Sequence, residues 1–167
     1  SADVVLSSRV RLARNLEDTP FPHRAEVAAL ECALDTVATS LRKADALGHA
    51  EVWRLEDLSE WERRLLVERH LASPRLMEGQ RPGGVCVAAG ERLAVMIHEE
   101  DHLRIQSVVS GLDLAGALSG AVAVDRQLEG SLGFAVSPDR GYLTACPTNV
   151  GTGMRASVLV HLPGLVL

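Results

Sequence analysis

Two apolar β-type runs, residues 85–89 and 93–97, are separated only by Gly90-Glu91-Arg92. Three residues cannot carry a crossover, so the runs have to pair as an antiparallel hairpin, and that makes an antiparallel sheet the frame of the fold. Further β-type runs fall at 4–12, 50–55, 103–109 and 156–162, and a second hairpin joins 132–136 to 142–145 around Pro138-Asp139-Arg140-Gly141. Three stretches have helical periodicity. In 25–46 the apolar positions are Val27, Leu30, Leu34, Val37 and Leu41, with Gly48 closing the helix. A capping box at Ser59 and Glu62 opens a second helix that runs to about Leu71. The third, 113–128, has Leu114, Leu118, Ala121, Val122 and Leu128 on its buried side. Residues 73–84, with two prolines and three glycines, read as a loop. Hairpins with helices inserted between them give an α+β fold, an antiparallel β-sheet flanked by helices, in one domain over residues 1–167.

Composition narrows the function classes. Hydrophobic residues make up 47% of the chain, enough for a core, but aromatics only 3%, so base-stacking surfaces are not expected. A net charge of −5 disfavours a broad basic face for nucleic acid. Cys32, Cys86 and Cys146 follow no metal or paired spacing, which suggests free thiols in a reducing compartment. No apolar run approaches membrane-spanning length, and a cytoplasmic location is the expectation. Ala2 leads directly into a strand and residues 163–167 end the chain on apolar side chains, so the natural polypeptide is expected to continue.

Three segments carry chemistry. The first hairpin runs into His98-Glu99-Glu100-Asp101-His102-Leu103-Arg104. Three successive carboxylates at a strand end repel one another, and unless this is a solvated turn they need water, a metal or a cationic ligand in front of them. On strand 4–12, Arg9 and Arg11 share a face by period two, and two adjacent guanidiniums suit phosphate oxygens between them, with Arg14 adding to the positive field. In Cys146-Pro147-Thr148-Asn149-Val150-Gly151-Thr152-Gly153-Met154-Arg155, small residues can bring backbone N–H groups to an anion, although the phosphate-loop pattern G-x-x-x-x-G-K-[ST] is absent. Two alternatives stay open on spacing alone. One is a nucleophilic Cys146 with His98 or His102 as base; the other is a zinc site from His98, His102 and Glu99, though H-E-x-x-H is not the pattern.

The blocks Leu6-Ser-Ser-Arg-Val-Arg-Leu-Ala-Arg-Asn15, Glu99 to Gln106 and Cys146 to Ser157 resemble, in order, the signature blocks of the ATP:guanido phosphotransferases. The ending Val160-His-Leu-Pro-Gly-Leu-Val-Leu167 is most similar to the bacterial protein-arginine kinase branch. The resemblance implies a guanido kinase catalytic domain, apparently truncated at its C-terminus, that uses ATP and Mg2+. It assigns Arg9, Arg11, Arg104 and Arg155 to the nucleotide phosphates, and Ser8, His102, Gly151, Thr152 and Gly153 to the same nucleotide side. Glu100 would grip the acceptor guanidinium and take its proton, with Asp101 as alternate. Glu99 would reach the metal through water, and Cys146 would lie beside the guanidinium. Implied partners are proteins bearing arginine, among them a stress-response repressor and clients of an ATP-dependent protease, with an activator protein and a homodimer also compatible. Neither nucleic acid nor membrane is implied. In this chain His98 stands where the family most often has asparagine, Leu159 stands where metabolite kinases tend to have histidine, and the family's last block is missing.

Overall fold

The computed structural model describes residues 4–165. Ala2 and residues 166–167, on which part of the expected continuation rests, lie outside the described residues. Strand β1 (Val5–Arg14) precedes helix α1 (Val27–Arg42), β2 (Glu51–Arg54), α2 (Glu60–Glu68) and the short α3 (Pro74–Met77). Then come β3 (Gly84–Val87), β4 (Leu93–Ile97), β5 (Leu103–Ser110), α4 (Leu114–Glu129), the two-residue strands β6 (Val136–Ser137) and β7 (Gly141–Tyr142), and β8 (Met154–Val160). Six strands form one sheet in the order β2-β3-β4-β5-β1-β8, every neighbouring pair antiparallel. The expected α+β architecture holds, and the first hairpin is β3–β4.

The sheet's two faces are used unequally. Val10, Leu12, Cys86, Val95, Ile97, Leu103 and Ile105 point to one side, where Leu34, Val37 and Leu41 of α1 and Ala117, Ala121, Val124 and Leu128 of α4 close the main core. On the other side Val85, Val87, Ala94 and Met96 meet Leu66 of α2, with Leu71, Leu76 and Met77, in a second cluster. That second layer lies over β2 to β4, and only the turn after α2 reaches on to β5, where Gln106 Nε2 donates to His70 O at 2.7 Å. The same face of β5, β1 and β8 therefore has no helix over it, and it carries Arg104, Arg9, Arg11 and Arg155.

Several elements differ from the expectation. Helix α4 buries Ala117, Ala121, Val124 and Leu128, while Leu114 and Leu118 are each 37% exposed. Small residues, not leucines, fit where the helix axis lies close to β1 and β5, so the helix is rotated from the most hydrophobic face. Val27 is likewise exposed in the first turn of α1. The capping box at Ser59 is present, but α2 stops at Glu68, and His70 with φ of 59° begins the turn away. Segment 73–84 is not all loop: Ser73 Oγ accepts from Leu76 N–H and Pro74 occupies the first turn of α3.

Candidate phosphate and guanidinium site

Period two in β1 sends Arg9 and Arg11 to the uncovered face, and the antiparallel register brings the other arginines to them. Arg11 lies directly opposite Gln106 on β5 and Arg155 on β8. Arg9 lies opposite Ser157 and its Nε donates to Ser157 Oγ at 3.4 Å. Arg104 lies opposite Ala13, one same-face step along from Arg11. Burial, then the fields of Arg155 and Arg104, holds the Arg9 guanidinium below its usual value. Arg11 is pushed down to about 10, first by burial and then by Arg9, Arg104 and Arg155, against a smaller pull from Glu99. Its Nε is buried without a hydrogen-bond partner. Like charges gathered this closely cost stability until an anion neutralises them. Arg11→Met should therefore raise the unfolding temperature in anion-free buffer by about 2–4 °C, roughly 1 kcal/mol, and reduce the stabilisation given by added tripolyphosphate. Thermal unfolding with and without the anion checks this; a less stable variant in anion-free buffer would mean that Arg11 is not under strain.

The acidic block divides into three roles. Glu99 is the most committed: Arg104 Nη2 pairs with its Oε2 at 2.7 Å and Ser73 Oγ donates to its Oε1 at 2.9 Å. Glu100 is freer, with Arg104 at 3.7 Å and Arg75 at 3.9 Å from its oxygens. Asp101 is 3% exposed and its Oδ1 accepts from Asn15 Nδ2 and Ala145 N–H, both at 2.6 Å. This is a correction to the alternate-base assignment, because a carboxylate tied to two donors beneath the surface does not face an acceptor. Instead, Asp101 and Asn15 clip the acidic turn to the segment that leads into Cys146. Asn15 also donates to Leu143 O at 3.1 Å and accepts from His102 N–H at 3.0 Å.

A cleft of about 100 Å³ opens where these parts meet, and its lining includes Arg11, Glu100, Arg104, Cys146, Thr148, Asn149 and Arg155. Cys146 is half-buried, its Sγ 3.0 Å from Thr148 Oγ1. The structure thus gathers Arg11, Arg104, Arg155, Glu100 and Cys146 around one space, with Arg9 and Glu99 beside it.

Other expected positions fall elsewhere. Ser8, on the opposite parity to Arg9, is fully buried, donating to Gly111 O and accepting from Asp113 N–H. His102 is also fully buried, its Nδ1 accepting from Leu16 N–H at 3.3 Å. Neither reaches a ligand from there. Gly151 and Gly153 donate their N–H groups to Tyr142 O and Asn149 O, so those amides fold the loop and do not form an anion nest. Gly151 and Thr152 do not line the cleft, whereas Gly153 does. With φ of 63°, Gly153 has no room for a Cβ, which would lie 2.5 Å from Ala13 O and from Arg14 Nη1. Nor does Arg14 join the phosphate face. It is 3% exposed on the helix side, where Nη2 pairs with Asp125 Oδ2 at 2.7 Å, Nη1 donates to Thr152 O at 3.1 Å, and its guanidinium stacks 3.5 Å over the Tyr142 ring. Burial raises the Asp125 carboxyl even against that arginine, and its Oδ1 has no partner.

His98 sits in left-handed backbone, φ 60°, a conformation that asparagine enters more easily than most residues. Its Nδ1 donates to Pro82 O at 2.9 Å, and burial holds the ring neutral. His102 is pushed down to about 4, mostly by burial and then by His98. Both folded values lie below the unfolded one near 6.5, so unfolded chains take up protons first. Stability is full above about pH 6.5 and falls as pH drops towards 4. Unfolding temperatures should decline between pH 7 and 5; a flat profile would place these rings in water.

No cage of three or more metal-binding side chains exists among the described residues. Zinc coordination by His98, His102 and Glu99 therefore has no geometry to support it.

The family model for the C-terminal catalytic domain of ATP:guanido phosphotransferases matches residues 33–167. The chain belongs to the ATP:guanido phosphotransferase family. The matched span holds the acidic block, Cys146 and Arg155, while Arg9 and Arg11 precede it. Alignments over 99% of the chain include them: it is 48% identical to a protein-arginine kinase of Symbiobacterium thermophilum and 46% to one of Shouchella clausii. It covers 48% and 47% of those proteins, so the chain spans about half the length of the curated relatives it matches. Among solved structures, the duplicated taurocyamine kinase of Schistosoma mansoni with bound transition-state-analogue components superposes with a TM-score of 0.91 at 28% identity, over 98% of this chain and 24% of that one. Lombricine kinase, at 22% identity and TM-score 0.83 over 97% of this chain and 49% of its own, shares the fold.

Sequence reasoning missed Ser73, Asn15 and Asp125 as supports of the site. Ser73-Pro74 is a legible cap, and parity along β1 already sets Arg14 apart from Arg9 and Arg11. Nothing in the sequence pairs Asp125 with Arg14.

Proposed function

We propose that this domain transfers the γ-phosphoryl group of ATP to a guanidinium nitrogen of arginine side chains in proteins. The observation that carries it is the convergence of Arg9, Arg11, Arg104 and Arg155 on one uncovered sheet face beside Glu100 and Cys146. Four fixed cations suit a triphosphate, and a freer carboxylate next to them suits a planar guanidinium. The names of the relatives at 46–48% identity favour a protein acceptor.

In the step proposed, Glu100 holds the guanidinium through paired N–H donors and accepts one proton. The nitrogen lone pair attacks the γ-phosphorus, an N–P bond forms, and the β–γ bridging P–O bond breaks with its electrons left on ADP. Arginines on both sides stabilise the equatorial oxygens and the leaving oxygen; positioning and charge do most of the work. Glu99 would be the residue that helps to hold magnesium, which when bound would supply further charge neutralisation. In this reading the nucleoside takes a separate cleft of about 330 Å³ that is lined by Arg9 and has Leu71, Val108, Val158 and Leu159 as apolar walls.

No helix among the described residues is long and apolar enough to cross a membrane, and the three free thiols favour a cytoplasmic setting. Incubation with γ-labelled ATP and either an arginine-containing protein or free arginine is the test. Label in the protein supports this reading, label only in free arginine supports a small-guanidine kinase, and nucleotide binding with neither product would leave a non-catalytic nucleotide module.

A further inference from the structure

Glu100 is a wall shared by two clefts. On one side lies the 100 Å³ space with Cys146 and the phosphate arginines; on the other is a cleft of about 210 Å³ whose charged lining is Arg75, Arg81, Glu99 and Glu100. The first space holds little more than a guanidino head and a phosphoryl group. The residues around an acceptor arginine must therefore lie outside it, and the second cleft is the concave surface next to Glu100.

The charges there are unevenly matched. Glu99 is already taken by Arg104 and Ser73. The Arg81 guanidinium donates to the backbone carbonyls of Pro22 and Ala25 and forms no ion pair among the described residues. Arg75, exposed on α3, has one carboxylate within reach, Glu100 at 3.9 Å. When an acceptor guanidinium occupies Glu100, Arg75 loses that contact and the cleft is left with two uncompensated cations.

We infer that the Arg75–Arg81 cleft is a subsite for an acidic side chain adjacent to the acceptor arginine, so that the domain selects arginines flanked by Asp or Glu. The inference rests on the proposed protein-arginine acceptor and names its local sequence class. A flanking carboxylate would replace Glu100 as the partner of Arg75 at the moment Glu100 turns to the substrate. A flanking lysine would be repelled.

Two peptides of equal length test it, each with a single arginine, flanked on both sides by aspartate in one and by lysine in the other. Transfer efficiency and, separately, peptide binding in the presence of ADP are measured for wild type and Arg75→Glu. Wild type should favour the acidic peptide by about fivefold or more at low salt, and Arg75→Glu should erase or invert that ratio. An equal ratio in both proteins overturns the subsite even if both peptides are phosphorylated. The binding preference without any transfer would support the subsite and count against the kinase reading instead.

Discussion

Glu100→Gln should reduce phosphoryl transfer by about 10²–10⁴-fold while nucleotide affinity changes little. The substitution keeps shape and one hydrogen-bonding oxygen but removes the charge that fixes the acceptor and the site that takes its proton. Nucleotide should still bind because its contacts come from the arginine face, where Arg104 retains Glu99 at 2.7 Å when Glu100 no longer carries a charge at 3.7 Å. Single-turnover transfer and nucleotide titration, performed on the same preparation, separate the two effects. Unchanged turnover would remove Glu100 from the reaction; Asp101, buried and bonded to two donors, is not placed to take over.

Asp125→Ala should destabilise the protein by about 3–5 kcal/mol, because it leaves the buried Arg14 charge without a counterion. For a domain of this size that is a fall in unfolding temperature of about 6–20 °C. The effect reaches the site as well as the core: Arg14 joins α4 to β1, holds Thr152 O and stacks on Tyr142, so it fixes the turn from which Arg155 emerges. Replacing both partners together, Arg14→Met with Asp125→Leu, should restore much of the stability, since an apolar pair no longer has to be solvated. Thermal unfolding of the single and double variants decides this. A loss below about 1 kcal/mol for Asp125→Ala would mean that water reaches the pair.

How much of this was legible follows from what kind of information each feature needs. Alternation along residues 4–12 is local, and it placed Arg9 and Arg11 together; the Gly90-Glu91-Arg92 turn is local, and it set the acidic block at the end of a strand. The same parity separates Ser8 and Arg14 from those arginines, but their residue types suggested a ligand role that burial on the helix side takes away. Which half of the sheet stays uncovered is not local at all. It depends on helices α2 and α3 lying over β2 to β4 and not over β1 and β8, and α3 was hidden in a proline- and glycine-rich stretch. The face of α4 was misjudged because close packing on β1 and β5 favours Ala117 and Ala121 over Leu114 and Leu118. The glycine loop looked open because small residues expose amides; the folded loop consumes two of them internally. Residue types thus pointed to the chemistry, and pairing across distant strands decided which of them share a space.

The most direct test of the central claim, that a cradle of arginines faces a guanidinium-gripping carboxylate, is phosphorus NMR of the reaction between this protein, magnesium-ATP and an arginine peptide. A new acid-labile N–P resonance should grow in step with ADP and be lost in Glu100→Gln. ATP turnover that yields only inorganic phosphate, or an N–P product that persists undiminished in Glu100→Gln, would contradict it.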